Sequence, residues 1–190
     1  EKYGHWKDTA VMLRGEAVWS LTVMFLQFWN FVYKDMAPSN YDNYWPVYND
    51  DVTWPSAYIV IAQMLYERFG NLQPIVKHYD SMKKWLDHVR DNYMVDYIVT
   101  RDYYGDWCMP PELPELIHSQ DPARKTNGAL LSTSTYYYLI GIMARFAGLT
   151  GNTDDIAYFE GQAIAIREAY NRKFFNPATG SYSNNTVTAN

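Results

Sequence analysis

The sequence predicts an all-α fold, an incomplete α/α toroid preceded by a short strand and an apolar helix. Apolar side chains recur at helical spacing in four segments, and short turn-forming connections join these segments into two hairpins. Between the hairpins, the stretch from Met94 to Gly128 shows little helical periodicity. Long aperiodic loops within compact domains are uncommon and tend to be functional. We therefore expect a ligand to bind where the loops converge.

The N-terminal part of the chain is predicted to be a segment of its own, with domains at 1–43 and 44–190. Residues 8–15 (DTAVMLRG) carry β-branched side chains and close on Arg-Gly, which is typical of a short strand. The apolar run at 17–32 is shorter than the about 20 residues of a membrane span and contains four polar residues, which favours a buried helix. Residues 34–52 are rich in Pro, Asn, Asp and Tyr and predict a loop.

The first predicted hairpin begins at Thr53, which can cap a helix, and Pro55 suits the first turn. Gly70 and Asn71 end this helix, and the second helix covers about Pro74 to Tyr93. So short a connection makes the two helices antiparallel. The predicted apolar face has Tyr58, Ile61, Ala62, Leu65 and Phe69 in the first helix, and Ile75, Tyr79, Met82, Trp85, Leu86 and Val89 in the second.

The second predicted hairpin has its first helix over about Leu130 to Ala147. Gly151 and the capping residue Thr153 mark the joint, and the second helix runs to about Phe174. A turn-rich segment follows at 176–185. The side chains predicted to face inward are Tyr137, Ile140, Met143 and Phe146, or their neighbours, and then Ile156, Phe159, Ala163, Ile166 and Tyr170.

The composition narrows the function classes. The net charge of −5 argues against a nucleic-acid binder, and 48% hydrophobic with 19% charged residues excludes a disordered chain. A single cysteine, Cys108, excludes a disulfide framework and a cysteine-based zinc site. The aromatic share of 17% indicates either aromatic packing or a surface that stacks on flat apolar ligand faces, such as those of sugars.

Two acid–aromatic clusters are candidate sugar-binding sites. Asp50, Asp51 and Trp54 lie at a helix entrance, where the carboxylates could bind sugar hydroxyls or cap the helix while the indole packs in the core. Asp106 and Trp107 form the second cluster, with Glu112 nearby. Glycoside cleavage commonly uses two carboxyl groups, although an Asp after Gly in a loop is also a common turn residue.

The other catalytic, metal-binding and phosphate-binding patterns that we considered are incomplete in this sequence. His5, Lys7 and Asp8 begin a phosphodiesterase-like His-x-Lys-x-x-x-x-Asp pattern, but Met12 occupies the required Asp position. His78 and His88 are ten residues apart and have no acidic partner at metal-ligand spacing. The chain contains no glycine-rich phosphate loop. We therefore predict no metal site and no cofactor.

The larger part of the chain, about residues 46–190, resembles the catalytic domain of bacterial α-L-rhamnosidases, glycoside hydrolases with a six-hairpin α/α barrel. The most specific motif is RDYYGDWCMPPE at 101–112, in the long loop between the predicted hairpins. The other motifs that carry the resemblance are VYNDDVTWPSAY (47–58), HYDSMKKWLDHV (78–89), ELIHSQDPARKTN (115–127) and SNNTVTAN (183–190).

This resemblance implies inverting hydrolysis that releases L-rhamnose from glycosides. It also implies that the general acid lies upstream of the matched part and the general base on a later hairpin. We therefore assign no catalytic residue and expect the chain alone to be inactive. By this resemblance, Trp54 and Trp107 stand where the family has aromatic residues of the rhamnose pocket. Asp106 lies in the same loop as Trp107, and we add it and Asp51 as further substrate-binding candidates. The expected partner is a rhamnose-containing glycoside; we expect no nucleic acid, no membrane partner, and self-association through exposed apolar flanks.

Residues 3–30 resemble a different family, the phospholipase D superfamily and in particular bacterial cardiolipin synthases, just after one catalytic His-Lys-Asp motif. The chain would then join a lipid-synthase fragment to a hydrolase fragment, as a truncated or fused reading frame, with the seam between Lys34 and Tyr48. The alternative for this segment is a divergent barrel helix. The alternatives for function are a non-catalytic carbohydrate-binding or scaffold module and a membrane-associated phospholipid enzyme.

Overall fold

The structure, a computed structural model, describes residues 52–102, 106, 113, 115, 121 and 124–190. The strand expected at 8–15 and the apolar helix expected at 17–32 lie outside these residues. In the described part the chain forms four α-helices, arranged as the two predicted antiparallel hairpins. The helices are α1 (Ala57–Phe69), α2 (Gln73–Tyr93), α3 (Gly128–Thr150) and α4 (Thr153–Phe174).

The first hairpin turns where the sequence predicts it. Gly70 adopts a left-handed conformation with φ 65°, and its N–H donates to the carbonyl of Tyr66 at 2.8 Å. The N–H of Asn71 reaches back to the carbonyl of Leu65 at 3.3 Å, which completes a Schellman-type ending. Because two residues in this arrangement reverse the chain, α2 begins almost at once and runs antiparallel to α1.

The beginning of α1 differs from the prediction. The helix starts at Ala57 rather than at Thr53, because residues 53–56 form a series of turns before it. The hydroxyl of Ser56 donates to the carbonyl of Thr53 at 2.5 Å within these turns. Phe69 was also predicted to face inward, but its side chain is 61% exposed because it lies on the last turn of the helix.

The apolar face of α2 is buried as predicted, and α4 ends at Phe174 as predicted. Thr153, predicted to cap α4, is instead its first residue. In contrast, α3 begins two residues earlier than predicted, because Asn127 caps it, and it ends three residues later, at the left-handed Gly151. The Asn127 side chain accepts from the N–H groups of Ala129 and Leu130 at 2.9 and 3.3 Å. The inward position on α3 is Tyr136, 2% exposed, whereas Tyr137 is 41% exposed.

Two short β-hairpins were not predicted. Strands β1 (Met94–Val95) and β2 (Ile98–Val99) pair antiparallel through a turn at Asp96 and Tyr97, whose φ angles are 49° and 64°. Such two-residue turns normally carry Asn-Gly or Asp-Gly, so this sequence gives no signal for one. Strands β3 (Phe175–Asn176) and β4 (Ser181–Tyr182) form the second hairpin after α4.

Hydrogen bonds between the helices establish their relative direction. On α1 and α3, Tyr138 donates to Gln63 at 3.3 Å, and one α1 turn further along, Arg145 donates to Glu67 at 3.0 Å. Both helices therefore run in the same direction, and their first residues lie at one end of the bundle. In the core, the Tyr136 hydroxyl donates to the carbonyl of Leu86 on α2 at 3.1 Å.

Residues 52–56 and 124–127, which lead into α1 and α3, thus lie at the same end of the bundle, as in a partial α/α toroid. The core between the helices consists of large, fully buried side chains, among them Ile59, Ile75, Met82, Leu86, Leu139, Met143, Phe146, Phe159 and Ile166. None of the helices in the described part combines the length and apolar character needed to span a bilayer. The apolar run at 17–32, which the membrane alternative invoked, is outside that part.

Candidate functional site

Two of the four predicted sugar-binding residues, Trp54 and Asp106, are described, and both lie at the end of the bundle where α1 and α3 begin. Trp54 is three residues before α1, and Asp106 is hydrogen-bonded to Thr126, two residues before α3. Asp51 and Trp107, the other two, lie outside the described residues. The same holds for Asp50 and Glu112, the remaining members of the two predicted clusters, and for Cys108.

Trp54 presents its indole to solvent from a turn that the core holds in place. Two residues earlier, Val52 is completely buried, and its carbonyl accepts from the N–H of Ser56 at 3.1 Å. The carbonyl of Trp54 accepts from the N–H of Ala57 at 3.2 Å. The side chain itself is 53% exposed, although tryptophan is highly buried on average. The predicted alternative, a core tryptophan, is therefore wrong.

Asp106 is a half-buried carboxylate that a buried hydroxyl holds. Its Oδ2 accepts a 2.6 Å hydrogen bond from Oγ1 of Thr126, whose side chain is 3% exposed. The same Thr126 oxygen lies 2.5 Å from Oγ1 of Thr186. If Asp106 were only a turn residue, its carboxylate would bond to its neighbours in sequence. In the structure its partner, Thr126, lies 20 residues away.

The chain that enters the long loop between the hairpins is hydrogen-bonded to α3. The amide of Val99 donates to Oγ1 of Thr133 at 3.0 Å, and Ser132 donates to the carbonyl of Arg101 at 2.6 Å. Ser132 also lies 3.1 Å from Oδ2 of Asp102. A Cβ on Gly128 would come within 3.0 Å of the Asp102 Cβ, so the loop passes close to the first turn of the helix.

The polar residues that hold this loop were not identified from the sequence. Thr126, Ser132 and Thr186 looked like ordinary loop or helix residues, because their partners are 20 to 60 residues away in the chain. One local signal was available: Thr126 and Asn127 stand directly before an apolar helical run, where capping residues are expected.

The two histidines considered as metal ligands have other surroundings. The His78 ring packs edge-on against Tyr58 with centroids 6.0 Å apart, and burial, together with Lys77, lowers the pKa of His78. The His88 ring packs against Tyr93 with centroids 5.6 Å apart. Among the described residues, no three His, Cys, Asp or Glu side chains come together as a metal ion would require.

A cavity of about 290 Å³ lies apart from these residues, between the β1–β2 hairpin and the end of α4. Asp96 and Thr100 border it on one side, and Arg172 and Lys173 on the other. Neither Trp54 nor Asp106 lines it. Its lining combines charges of both signs on an open surface, so the acid–aromatic pair at the start of α1 and α3 remains the stronger candidate.

Comparison with known proteins identifies the fold. A structure of an α-L-rhamnosidase from Dictyoglumus thermophilum superposes with a TM-score of 0.61 at 32% sequence identity, covering 71% of this chain and 14% of that one. The Streptomyces avermitilis α-L-rhamnosidase, crystallised with L-rhamnose, gives a TM-score of 0.61 at 20% identity, over 74% of this chain and 12% of that one. The second likeness shows the fold alone.

Proteins similar in sequence also include α-L-rhamnosidases. An α-L-rhamnosidase of Formosa agariphila is 25% identical over 122 residues, which are 64% of this chain and 12% of that protein. The chain therefore spans about an eighth of the length of the relatives that it matches.

The family model for the bacterial alpha-L-rhamnosidase 6 hairpin glycosidase domain matches residues 8–190. This match includes most of the segment at 1–43 for which the sequence suggested a phospholipase D-like origin. That origin stays a prediction, because the segment lies outside the described residues. The incomplete α/α toroid predicted from the helical hairpins is confirmed, as is the six-hairpin barrel that the resemblance implied. The chain belongs to the bacterial α-L-rhamnosidase six-hairpin glycosidase domain family.

Proposed function

We propose that this chain forms part of the wall of an L-rhamnose-binding pocket in a glycoside hydrolase. Trp54 stacks on the sugar, and Asp106 accepts a hydrogen bond from one of its hydroxyl groups. Asp51 and Trp107 belong to the same proposed pocket. The observation that carries the proposal is an exposed indole at the same end of the bundle as a carboxylate held by a buried threonine.

The indole suits this sugar for a physical reason. L-Rhamnose is a 6-deoxy sugar, so it has a methyl group and C–H bonds that are poorly matched to water. A flat aromatic face covers such a surface and excludes water from it, while polar groups at the rim fix the orientation. The 53% exposure of Trp54 leaves its ring able to make this contact.

The carboxylate of Asp106 complements the ring. Its Oδ2 accepts from Thr126 at 2.6 Å, and no bond to Oδ1 occurs in the described part of the chain. Oδ1 can therefore accept from a sugar hydroxyl without breaking the existing bond. Hydrogen bonds with an ionised partner are about twice as strong as neutral ones, so a single such contact can orient the ring.

The proposed reaction of the whole enzyme is inverting hydrolysis. A water molecule attacks the anomeric carbon while a carboxylic acid protonates the departing glycosidic oxygen. In this proposal Trp54 and Asp106 hold the sugar, and the acid and base are supplied by parts of the enzyme other than this chain. We accordingly expect no release of aryl alcohol when the purified chain is incubated with an aryl α-L-rhamnoside; measurable turnover would contradict this division of roles.

Calorimetric titration with L-rhamnose tests the binding part directly. L-Mannose is the matched control sugar, because it differs only by a hydroxyl at C6, which would face the indole. We expect weaker binding of L-mannose, and about tenfold weaker binding of L-rhamnose after Trp54→Ala or Asp106→Ala.

Phe69→Ala is the control variant, since Phe69 is an exposed aromatic residue at the C-terminal end of α1, whereas Trp54 precedes the N-terminal end. It should leave the dissociation constant unchanged. The proposal fails if the wild-type chain binds no L-rhamnose, or if both Trp54→Ala and Asp106→Ala bind it as the wild type does.

A further inference from the structure

A line of three side chains joins the C-terminal segment, residues 183–190, to Asp106. Oγ1 of Thr126 donates to Asp106 at 2.6 Å and lies 2.5 Å from Oγ1 of Thr186. A carboxylate oxygen can only accept, and a hydroxyl group has a single proton. Because Thr126 uses its proton on Asp106, it must accept from Thr186. The hydrogen bonds therefore run in one direction, from Thr186 through Thr126 to Asp106.

The C-terminal segment holds Thr186 in place through its own bonds. The side-chain nitrogen of Asn190 donates to the carbonyl of Thr186 at 3.1 Å and to the side chain of Asn185 at 2.9 Å. The side-chain oxygen of Asn190 accepts from the amide of Tyr182 at 2.8 Å. One asparagine thus closes the segment into a loop on which the Thr186 hydroxyl has a fixed position.

The segment also contacts the chain next to Thr126. The side-chain nitrogen of Asn184 donates to the carbonyl of Lys125 at 2.7 Å. Together with the bond from Thr186, two consecutive residues before α3 are held by the C-terminal segment. Thr126 is 3% exposed, so water does not replace the partners of its hydroxyl group.

We propose that Thr126 and Thr186 are positioning residues for Asp106, and that the C-terminal segment thereby sets the orientation of the proposed sugar-binding carboxylate. This inference rests on the proposed function. Two hydroxyl groups in series polarise each other and fix one oxygen of the carboxylate. The other oxygen is then pre-oriented for a sugar hydroxyl, which lowers the entropy lost on binding.

The first test compares affinities for L-rhamnose. Thr186→Val removes the donor but keeps the shape of the side chain, and we expect about threefold weaker binding. Thr186→Ser keeps the hydroxyl and should restore the wild-type value. Thr188→Val is the matched control, because Thr188 is an exposed threonine of the same segment. Unchanged binding by Thr186→Val would overturn the inference.

A double-mutant cycle separates positioning from a general structural role. In an Asp106→Ala background, the hydrogen bonds from Thr186 through Thr126 have no carboxylate to orient. Thr186→Val should then leave the remaining affinity unchanged. An equal loss of affinity in both backgrounds would mean that Thr186 acts on the fold as a whole, and would contradict the inference.

Carbon-13 NMR of the Asp106 carboxyl group tests the positioning without any sugar. The resonance can be assigned by its loss in Asp106→Ala. We expect Thr186→Val to move it and Thr188→Val to leave it in place. If the wild-type chain binds no L-rhamnose, the proposed function fails, but the carboxyl resonance still decides the inference: a resonance that does not respond to Thr186→Val overturns it.

Discussion

The hydroxyl of Tyr79 on α2 donates a 2.8 Å hydrogen bond to Oδ2 of Asp155 on α4, across 76 residues of sequence. The other carboxylate oxygen of Asp155 receives the ammonium group of Lys83. One carboxylate at the start of α4 thus binds two side chains of the first hairpin. This contact joins the two hairpins at the end opposite to Trp54 and Asp106.

The carboxylate of Asp155 should make the stability of the protein depend on pH. Burial alone would raise the pKa of Asp155, but hydrogen bonds from Lys83 and Tyr79 outweigh burial and hold the pKa below its ordinary 3.8. A group with a lowered pKa in the folded state contributes stability above its unfolded pKa and loses it as the pH falls through the folded value. Asp155→Asn should therefore lower the free energy of unfolding at pH 7, and the difference from wild type should shrink below about pH 3.8.

Urea denaturation at neutral pH and at about pH 3 measures this difference. Asp154→Asn is the control, because Asp154 is an exposed carboxylate of the same helical turn. The explanation is wrong if the difference between Asp155→Asn and wild type is the same at both pH values.

The α4 helix offers a matched pair of isoleucines for testing the core. Ile166 is fully buried, whereas Ile164 is 52% exposed. Ile166→Ala removes buried methyl groups and leaves a cavity, which costs about 2–5 kcal/mol. Ile164→Ala should change the free energy of unfolding by about 0.5 kcal/mol or less. Denaturant unfolding of both variants checks this, and equal effects would contradict the packing of α4 against α3.

Removing the N-terminal cap of α3 should destabilise the protein less than removing a core side chain does. Asn127→Ala removes the acceptor for the amides of Ala129 and Leu130 and should destabilise the protein by about 1 kcal/mol. Asn127→Asp retains an acceptor at the helix N-terminus and should be close to wild type in the same thermal or urea unfolding experiment. If Asn127→Ala and Asn127→Asp are equally destabilising, loss of the side-chain cap does not explain the lower stability.

Exposed apolar side chains predict self-association. Met64, Phe69, Val76 and Ile164 are each more than half exposed, on three different helices of the described part. Large apolar side chains left in water favour association between molecules. Sedimentation velocity should show species larger than a monomer, and Met64→Lys together with Ile164→Lys should reduce them. A monodisperse wild-type monomer across a range of concentrations would contradict this prediction.

Helical periodicity accounts for most of the fold that could be predicted. The pattern from Ile75 to Val89 predicted the buried face of α2, and Gly70 predicted the first turn, because both signals depend on neighbours in sequence. The pattern could not distinguish Tyr136 from Tyr137, since adjacent positions on a helix differ by about 100° and a broadly buried helix accepts either.

The candidate site was predictable only in part. Acid and aromatic residues in unusual loop motifs pointed to Trp54 and Asp106, but periodicity cannot give the partners of a loop side chain. The bonds from Thr126 and Thr186 join residues that are distant in sequence and become neighbours only after both hairpins have packed. The β1–β2 turn was missed for a local reason, because Tyr97 adopts a positive φ that sequence patterns assign to glycine.

The indole N–H resonance of Trp54, followed by proton–nitrogen NMR during addition of L-rhamnose, reports on the proposed pocket most directly. Trp54→Phe assigns the resonance among those of the seven tryptophans. We predict that this resonance shifts in a saturable way with L-rhamnose and much less with L-mannose. A Trp54 resonance that stays in place while the protein is saturated with L-rhamnose would show that the sugar does not contact this ring.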